Sequence, residues 1–291
     1  MPTSRHPLVR AALVCLLTAA IGRAEEVHYD VFATDLGGSL VIGGYDDTSN
    51  KAKVPADQMR VFGGEVVPTG SAPAAYESEA PGEPGFRASP QSFLNDAELM
   101  TPSGVFTALP GGTPLAFSFL PISIDGTSRN LFFWNGTGAV AFAPAAADVT
   151  LDLIKYGGGG WTAGITGASA GTIAGNTIQT TLTGTRAGYV HTHLYTSIAK
   201  AGSVPDQGFY LYSLSLQMTG LTDSVPLYFV FGALDPEDLQ FPFDDLEQFE
   251  KAHEDAEAWV AANVVPEPAG FAGMAAVVAL PLLRFLRRRS G

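Results

Sequence analysis

Gly208-Phe209-Tyr210-Leu211-Tyr212-Ser213-Leu214-Ser215-Leu216-Gln217-Met218, followed by Leu227-Tyr228-Phe229-Val230-Phe231-Gly232, sets the fold class. Aromatic and aliphatic residues that suit a pleated surface dominate both runs. The segment between them, Thr219 to Pro226, carries the Gly, Asp and Pro of a turn. The same texture recurs towards the N-terminus, in Val27–Ala33, Ser39–Gly43, Gln58–Phe62, Leu115–Phe119, Leu131–Trp134, Ala139–Phe142, Val149–Lys155, Ile178–Thr183 and Ala187–Tyr195. With 33 glycines and 20 prolines punctuating short runs of this kind, the expectation is an all-β body, an antiparallel β-sandwich of jelly-roll type. Two stretches rich in small residues, Val67 to Pro90 and Tyr156 to Gly175, read as loops. No internal repeat is visible.

The period changes once. Leu246, Phe249, His253, Ala256, Trp259 and Val260 recur at helical spacing, with acids on the other positions. Asp244 or Asp245 can cap this helix, and acids in its first turn suit the dipole. The acidic face reads as solvated, and the helix as a stalk between the β body and the C-terminal tail.

Both ends read as targeting segments. Arg5 and Arg10 precede an apolar run from Ala11 to Ile21, and Gly22-Arg23-Ala24 offers a cleavage site, so 1–24 is expected to be a secretory signal peptide. The single cysteine, Cys15, lies inside it, so the mature chain has no disulfide or thiol chemistry. At the other end Val265-Pro266-Glu267-Pro268 precedes an apolar run, Ala269 to Leu283, and then Arg284, Arg287, Arg288 and Arg289. The prolines make an extended, readable break. The apolar run is near the short end for a transmembrane helix, and the arginines form a cytoplasmic stop. The expected organisation is signal peptide 1–24, β-sandwich ectodomain 25–235, acidic helical stalk 236–264 and sorting tail with transmembrane helix 265–291.

The formal charge of −13 understates the acidity of the body. Seven of the 16 basic residues lie in the two ends, against one of the 29 acids, leaving nine cations and 28 anions between them, a charge near −19. Such a body disfavours nucleic acid or anionic lipid as a partner. It suits an exported protein or one that collects cations.

His191-Thr192-His193 is the sharpest local feature of the body. On a strand Tyr189, His191, His193 and Tyr195 share one face. Imidazoles spaced about 7 Å along a strand can converge on one ion. His28 and Asp30 form a second pair with the same spacing. Together they supply a candidate set for zinc or another divalent transition metal. His253, on the helical segment, reads as structural or solvated. Gly167-Ala168-Ser169-Ala170-Gly171 matches the nucleophile-elbow string, but that motif needs a strand before and a helix after it. Here the flanks are Gly/Thr/Ala-rich, and no catalytic residue is assigned.

The Pro-Glu-Pro step, apolar run and basic stop resemble the PEP-CTERM sorting tag of bacterial envelope proteins. That resemblance implies signal peptidase and the general secretion machinery, the inner membrane before processing, and cleavage by an exosortase as partners. The body resembles the choice-of-anchor M group, related to actinobacterial surface-anchored domains. The resemblance runs through His28-Tyr29-Asp30, Phe132-Phe133-Trp134-Asn135-Gly136, His191-Thr192-His193, Gly208-Phe209-Tyr210 and the Leu227–Gly232 run. Members share a body and differ in their anchor, and some are associated with metal-uptake transporters. The combined expectation is a non-enzymatic envelope protein, tethered to the inner membrane with its body outside the cytoplasm and then passed to the cell envelope, surface or matrix. Its ligand would be a metal ion or an envelope polysaccharide. Two alternatives stay open: a structural or adhesive matrix protein in which the histidines only hydrogen-bond, and a secreted hydrolase.

Overall fold

A computed structural model describes residues 29–46, 51–53, 59–70, 75–78, 82–95, 106–157, 159–235 and 245–266. The described chain is mostly β-strand. Its strands are β1 (Tyr29–Leu36), β2 (Ser39–Asp46), β3 (Lys51–Lys53), β4 (Val61–Pro68), β5 (Ala75–Glu77), β6 (Phe86–Ala88), β7 (Pro114–Leu120), β8 (Ile122–Ile124), β9 (Thr127–Arg129), β10 (Leu131–Trp134), β11 (Ala143–Pro144), β12 (Val149–Lys155), β13 (Trp161–Thr166), β14 (Ile173–Thr180), β15 (Val190–Thr192), β16 (Tyr195–Lys200), β17 (Gly208–Met218) and β18 (Leu227–Ala233). Two helices accompany them, α1 (Gln91–Leu94) and α2 (Leu246–Asn263).

One sheet has five strands in the order β15-β6-β1-β2-β3. A larger sheet runs β11-β10-β17-β18-β4-β5-β16-β12-β13, with β7 bridging β17 and β14, and β8 and β9 form a separate two-stranded sheet. The larger sheet curls. Leu151 and Ile198, from its β12–β16 arm, share one core with Tyr212 and Phe229 of β17–β18 and with Val31 and Ile42 of the smaller sheet. The arrangement is therefore sandwich-like, closed over an aromatic core in which Tyr212 stacks on Phe229 at 5.0 Å.

β17 and β18 are the central pair, joined antiparallel from Gly208↔Ala233 to Leu214↔Leu227. Both are buried on both faces. Tyr210, Tyr212, Leu214, Phe229 and Phe231 point into the shared core. Phe209, Leu211, Tyr228 and Val230 point the other way, into a second apolar layer. This explains why residues 209–212 and 227–231 show no polar alternation: neither side meets water.

The second layer is closed by α2. Asp245 caps it, its carboxylate accepting the Gln248 N–H at 2.9 Å. Phe249, His253, Ala256 and Val260 are buried against the sheet. The expected apolar face is thus the observed one, with Leu246 and Trp259 at its partly buried margin. The stalk expectation for this segment is corrected: Leu246–Asn263 lies on the sheet as part of the fold. Two glycines make the seat. A Cβ on Gly63 of β4 would fall on the Glu257 carboxylate, and one on Gly232 of β18 would lie 2.6 Å from the Phe249 ring. His253 is structural. Its Nε2 donates to the Val230 carbonyl at 2.9 Å, and its ring stacks on Phe209.

The two stretches read as loops are also corrected. Val67–Pro90 contains β5 and β6, and Tyr156–Gly175 contains β13 and the start of β14. Both hold strands too short or too glycine-rich to show a period. Among the described residues no helix is long and apolar enough to cross a membrane. The signal segment 1–24, Glu267 and Pro268, the Ala269–Leu283 run and Arg284, Arg287, Arg288 and Arg289 lie outside the described residues. Val265 and Pro266 lie within them, and the Pro266 carbonyl accepts from Arg60 Nη1 at 3.3 Å.

Phe249→Ala opens a cavity at the helix–sheet contact and is expected to lower the unfolding free energy by about 3–5 kcal/mol. Urea denaturation followed by tryptophan fluorescence measures it. An unchanged midpoint would mean that α2 does not stabilise the body.

Candidate metal centre

Three strands of the smaller sheet build the site. β1 and β6 run parallel, with Val31 opposite Phe86 and Phe32 opposite Arg87. β6 and β15 run antiparallel, with Phe86 opposite Thr192 and Arg87 opposite His191. One step further along each strand stand Asp30, Gly85 and His193. The two ladders therefore line up an acid, a residue without a side chain and a histidine across neighbouring chain segments, with His191 two residues behind on the same face.

The histidine pair marks a corner. Val190–Thr192 belongs to the smaller sheet, while Tyr195–Lys200 belongs to the larger one. His193 and Leu194 carry the chain between them, outside both strands. The expectation of one continuous strand over Ala187–Tyr195 is corrected here. The break turns the two rings toward each other, leaving their Nε2 atoms 3.2 Å apart. Regular strand spacing would hold the side chains about 7 Å apart.

Two of the three candidate ligands are aimed by backbone groups. His193 Nδ1 lies 3.0 Å from the Gly82 carbonyl. A carbonyl only accepts, so Nδ1 carries the proton and Nε2 presents its lone pair. Asp30 Oδ1 accepts the Gly85 N–H at 2.7 Å. Its other oxygen, Oδ2, faces His191 Nε2 at 3.9 Å. The candidate ligand atoms of Asp30, His191 and His193 all lie within 4.8 Å of one another. Backbone support of this kind fixes tautomer and orientation in metal sites.

The distances suit a small divalent ion. With metal–nitrogen bonds of about 2.0–2.1 Å, nitrogens 3.2 Å apart subtend about 100° at the metal. That angle lies between octahedral and tetrahedral values. Two imidazoles and a carboxylate form a borderline donor set, suited to zinc, copper, nickel, iron or cobalt more than to calcium or magnesium. Asp30 is buried, with its side chain 6% exposed, whereas the His191 side chain is 35% exposed. Buried Gly82, Pro84 and Gly85 form part of the back wall. Arg87 shares this face, with its guanidinium 3.7 Å from the Tyr45 ring centroid.

Of the four residues expected to form the site, three meet. His28 lies outside the described residues. His253 belongs to the α2 contact and takes no part. Ser169 sits in the turn after β13, where its hydroxyl accepts the Thr166 N–H at 2.9 Å. The segment after it enters a strand, so the elbow geometry is absent there.

Gly82 and Gly85 carry no signal in the sequence. They stand in a stretch whose composition reads as an exposed loop, and their role depends on pairings over more than 50 residues. A Cβ on Gly85 would lie 2.6 Å from Asp30 Oδ1 and 2.8 Å from His193 Nδ1. The acid and the histidine can lean over this position only because it is bare. Comparison of the chain with family models, curated proteins and solved structures returned no match.

Gly85→Ala should retain the far-UV circular dichroism of the wild type and weaken zinc binding at least tenfold by titration calorimetry, because the added methyl displaces both Asp30 and His193. Unchanged affinity would show that the site does not depend on this close approach.

Proposed function

We propose that this protein is exported and sorted to the cell envelope, where its β body binds one divalent transition ion, zinc foremost, and carries out no catalysis. The convergence of Asp30 with His191 and His193, with all three candidate ligand atoms within 4.8 Å, carries the metal reading. Asp30 is far in the chain from the His191/His193 pair, and a sheet surface has no structural need to gather them. The acidity of the body supports the same reading, since a charge near −19 raises the local concentration of cations. His28 shares the two-residue spacing with Asp30 in the sequence, and its substitution tests whether it joins the set.

The sorting half of the proposal rests on sequence. A signal-like start, the Val265-Pro266-Glu267-Pro268 step, the apolar run and the arginine stop occur in the order of a PEP-CTERM tag. The tag would make secretion machinery, signal peptidase and exosortase the partners, and its apolar run a temporary transmembrane helix. The likeness of the body to the choice-of-anchor M group, and a jelly-roll form of its sandwich, belong to the same proposal. One observation favours the structural or adhesive alternative: His191 and His193 already satisfy each other with a 3.2 Å contact.

Elemental analysis after dialysis against zinc, manganese and copper separates the two readings. About one equivalent of zinc is expected in the wild type, with less than a tenth of that in a His191→Ala/His193→Ala double variant. Equal sub-stoichiometric metal in both would leave the histidines as hydrogen-bonding residues only. Independently, deleting Val265–Pro268 in the native host should leave a larger, membrane-retained form on fractionation. Unchanged size and location would overturn the sorting reading.

A further inference from the structure

Resting on the metal reading, we infer that the ion held by Asp30, His191 and His193 keeps a coordination position open to solvent and takes a small external donor there. The site is a receptor for a monodentate ligand, such as a small anion or the donor atom of a partner, rather than a closed structural staple.

The donor set is one-sided. Asp30 uses Oδ1 for the Gly85 N–H, and His193 uses Nδ1 for the Gly82 carbonyl. Asp30 is therefore biased to bind through Oδ2 and His193 through Nε2. Both supporting groups belong to the Gly82–Gly85 segment, in which Gly82, Pro84 and Gly85 are buried and Glu83 is half-buried. The third ligand, His191, stands at the front with 35% of its side chain exposed. The exposed His191 ring therefore marks the solvent side of the set, and the buried Asp30 its protein side. Two histidines and one carboxylate on one side of an ion form a facial set, which leaves positions for exogenous ligands. Closed structural zinc sites use four protein ligands, and three protein ligands with an exchangeable water characterise sites that act on something else.

The geometry favours retention of that position. Among the described residues no fourth His, Cys, Asp or Glu joins the set, and at Gly85 a Cβ would collide with both Asp30 and His193. His28, two residues from Asp30 and outside the described residues, is the sequence candidate for a further donor.

Cobalt(II) provides the test, because its visible spectrum reports both loading and coordination number. Full-length protein in mild detergent is loaded with cobalt and titrated with sodium azide, alongside His28→Ala and the His191→Ala/His193→Ala double variant. The expected result is a d–d spectrum in wild type and His28→Ala that shifts saturably with azide, with no such bands in the double variant. A cobalt spectrum of four-coordinate intensity that azide does not change in wild type would overturn the open-site inference. If His28→Ala then restores the azide response, His28 is the residue that closes the site. Absence of any cobalt spectrum in wild type would instead overturn the metal reading on which the inference rests.

Discussion

The antiparallel pairing of β17 with β18, buried on both faces, is the constraint on which the rest of the molecule depends. Seven registered pairs join them, and their alternate side chains feed two separate apolar layers. The layer on one side is the main core, which holds the curled arm of the larger sheet against the smaller sheet. On the other side the layer is complete only when α2 covers it. A strand pair of this kind cannot be left half solvated: uncovered, Phe209, Leu211, Tyr228 and Val230 would form a large exposed patch. The helix and the glycines beneath it follow from that requirement.

The metal candidate depends on the same organisation at one remove. Its three side chains stand on the smaller sheet, whose position is set by the main core. His193 occupies the point at which the chain leaves that sheet for the larger one. A regular strand could not bring two imidazole nitrogens at i and i+2 to 3.2 Å; a corner can. The demands of topology and of coordination coincide there. Strand β6 adds the second element. It is only three residues long, yet it pairs with both β1 and β15, and Gly85 just before it leaves a bare Cα where a side chain would keep Asp30 and His193 apart.

Acidity and burial act together in this arrangement. Asp30 is buried, and a carboxylate so placed needs compensation for lost hydration. The Gly85 N–H supplies part of it at one oxygen, and a divalent ion at the other would supply more. The strongly acidic body raises the local concentration of any cation, while Arg87 on the same face is drawn over the Tyr45 ring.

Much of this was legible from residue order alone. The β class, the helical face of Phe249, His253, Ala256 and Val260, and the two sharp candidates Asp30 and His191/His193 all follow from local periods, because a period of two or of 3.6 is written in neighbouring residues. The end segments are read the same way, from composition and order. Other features depend on residues far apart in sequence: the double-sided burial of β17 and β18, the docking of α2 over Gly63 and Gly232, the strands hidden in glycine-rich stretches, and the roles of Gly82 and Gly85. A glycine carries no pattern of its own, and its meaning is set by which side chain lies above it. The sequence by itself determined which residues could bind an ion. Only the tertiary structure decided that Asp30, His191 and His193 meet, because strand pairing across more than 100 residues and a break in one strand bring them together.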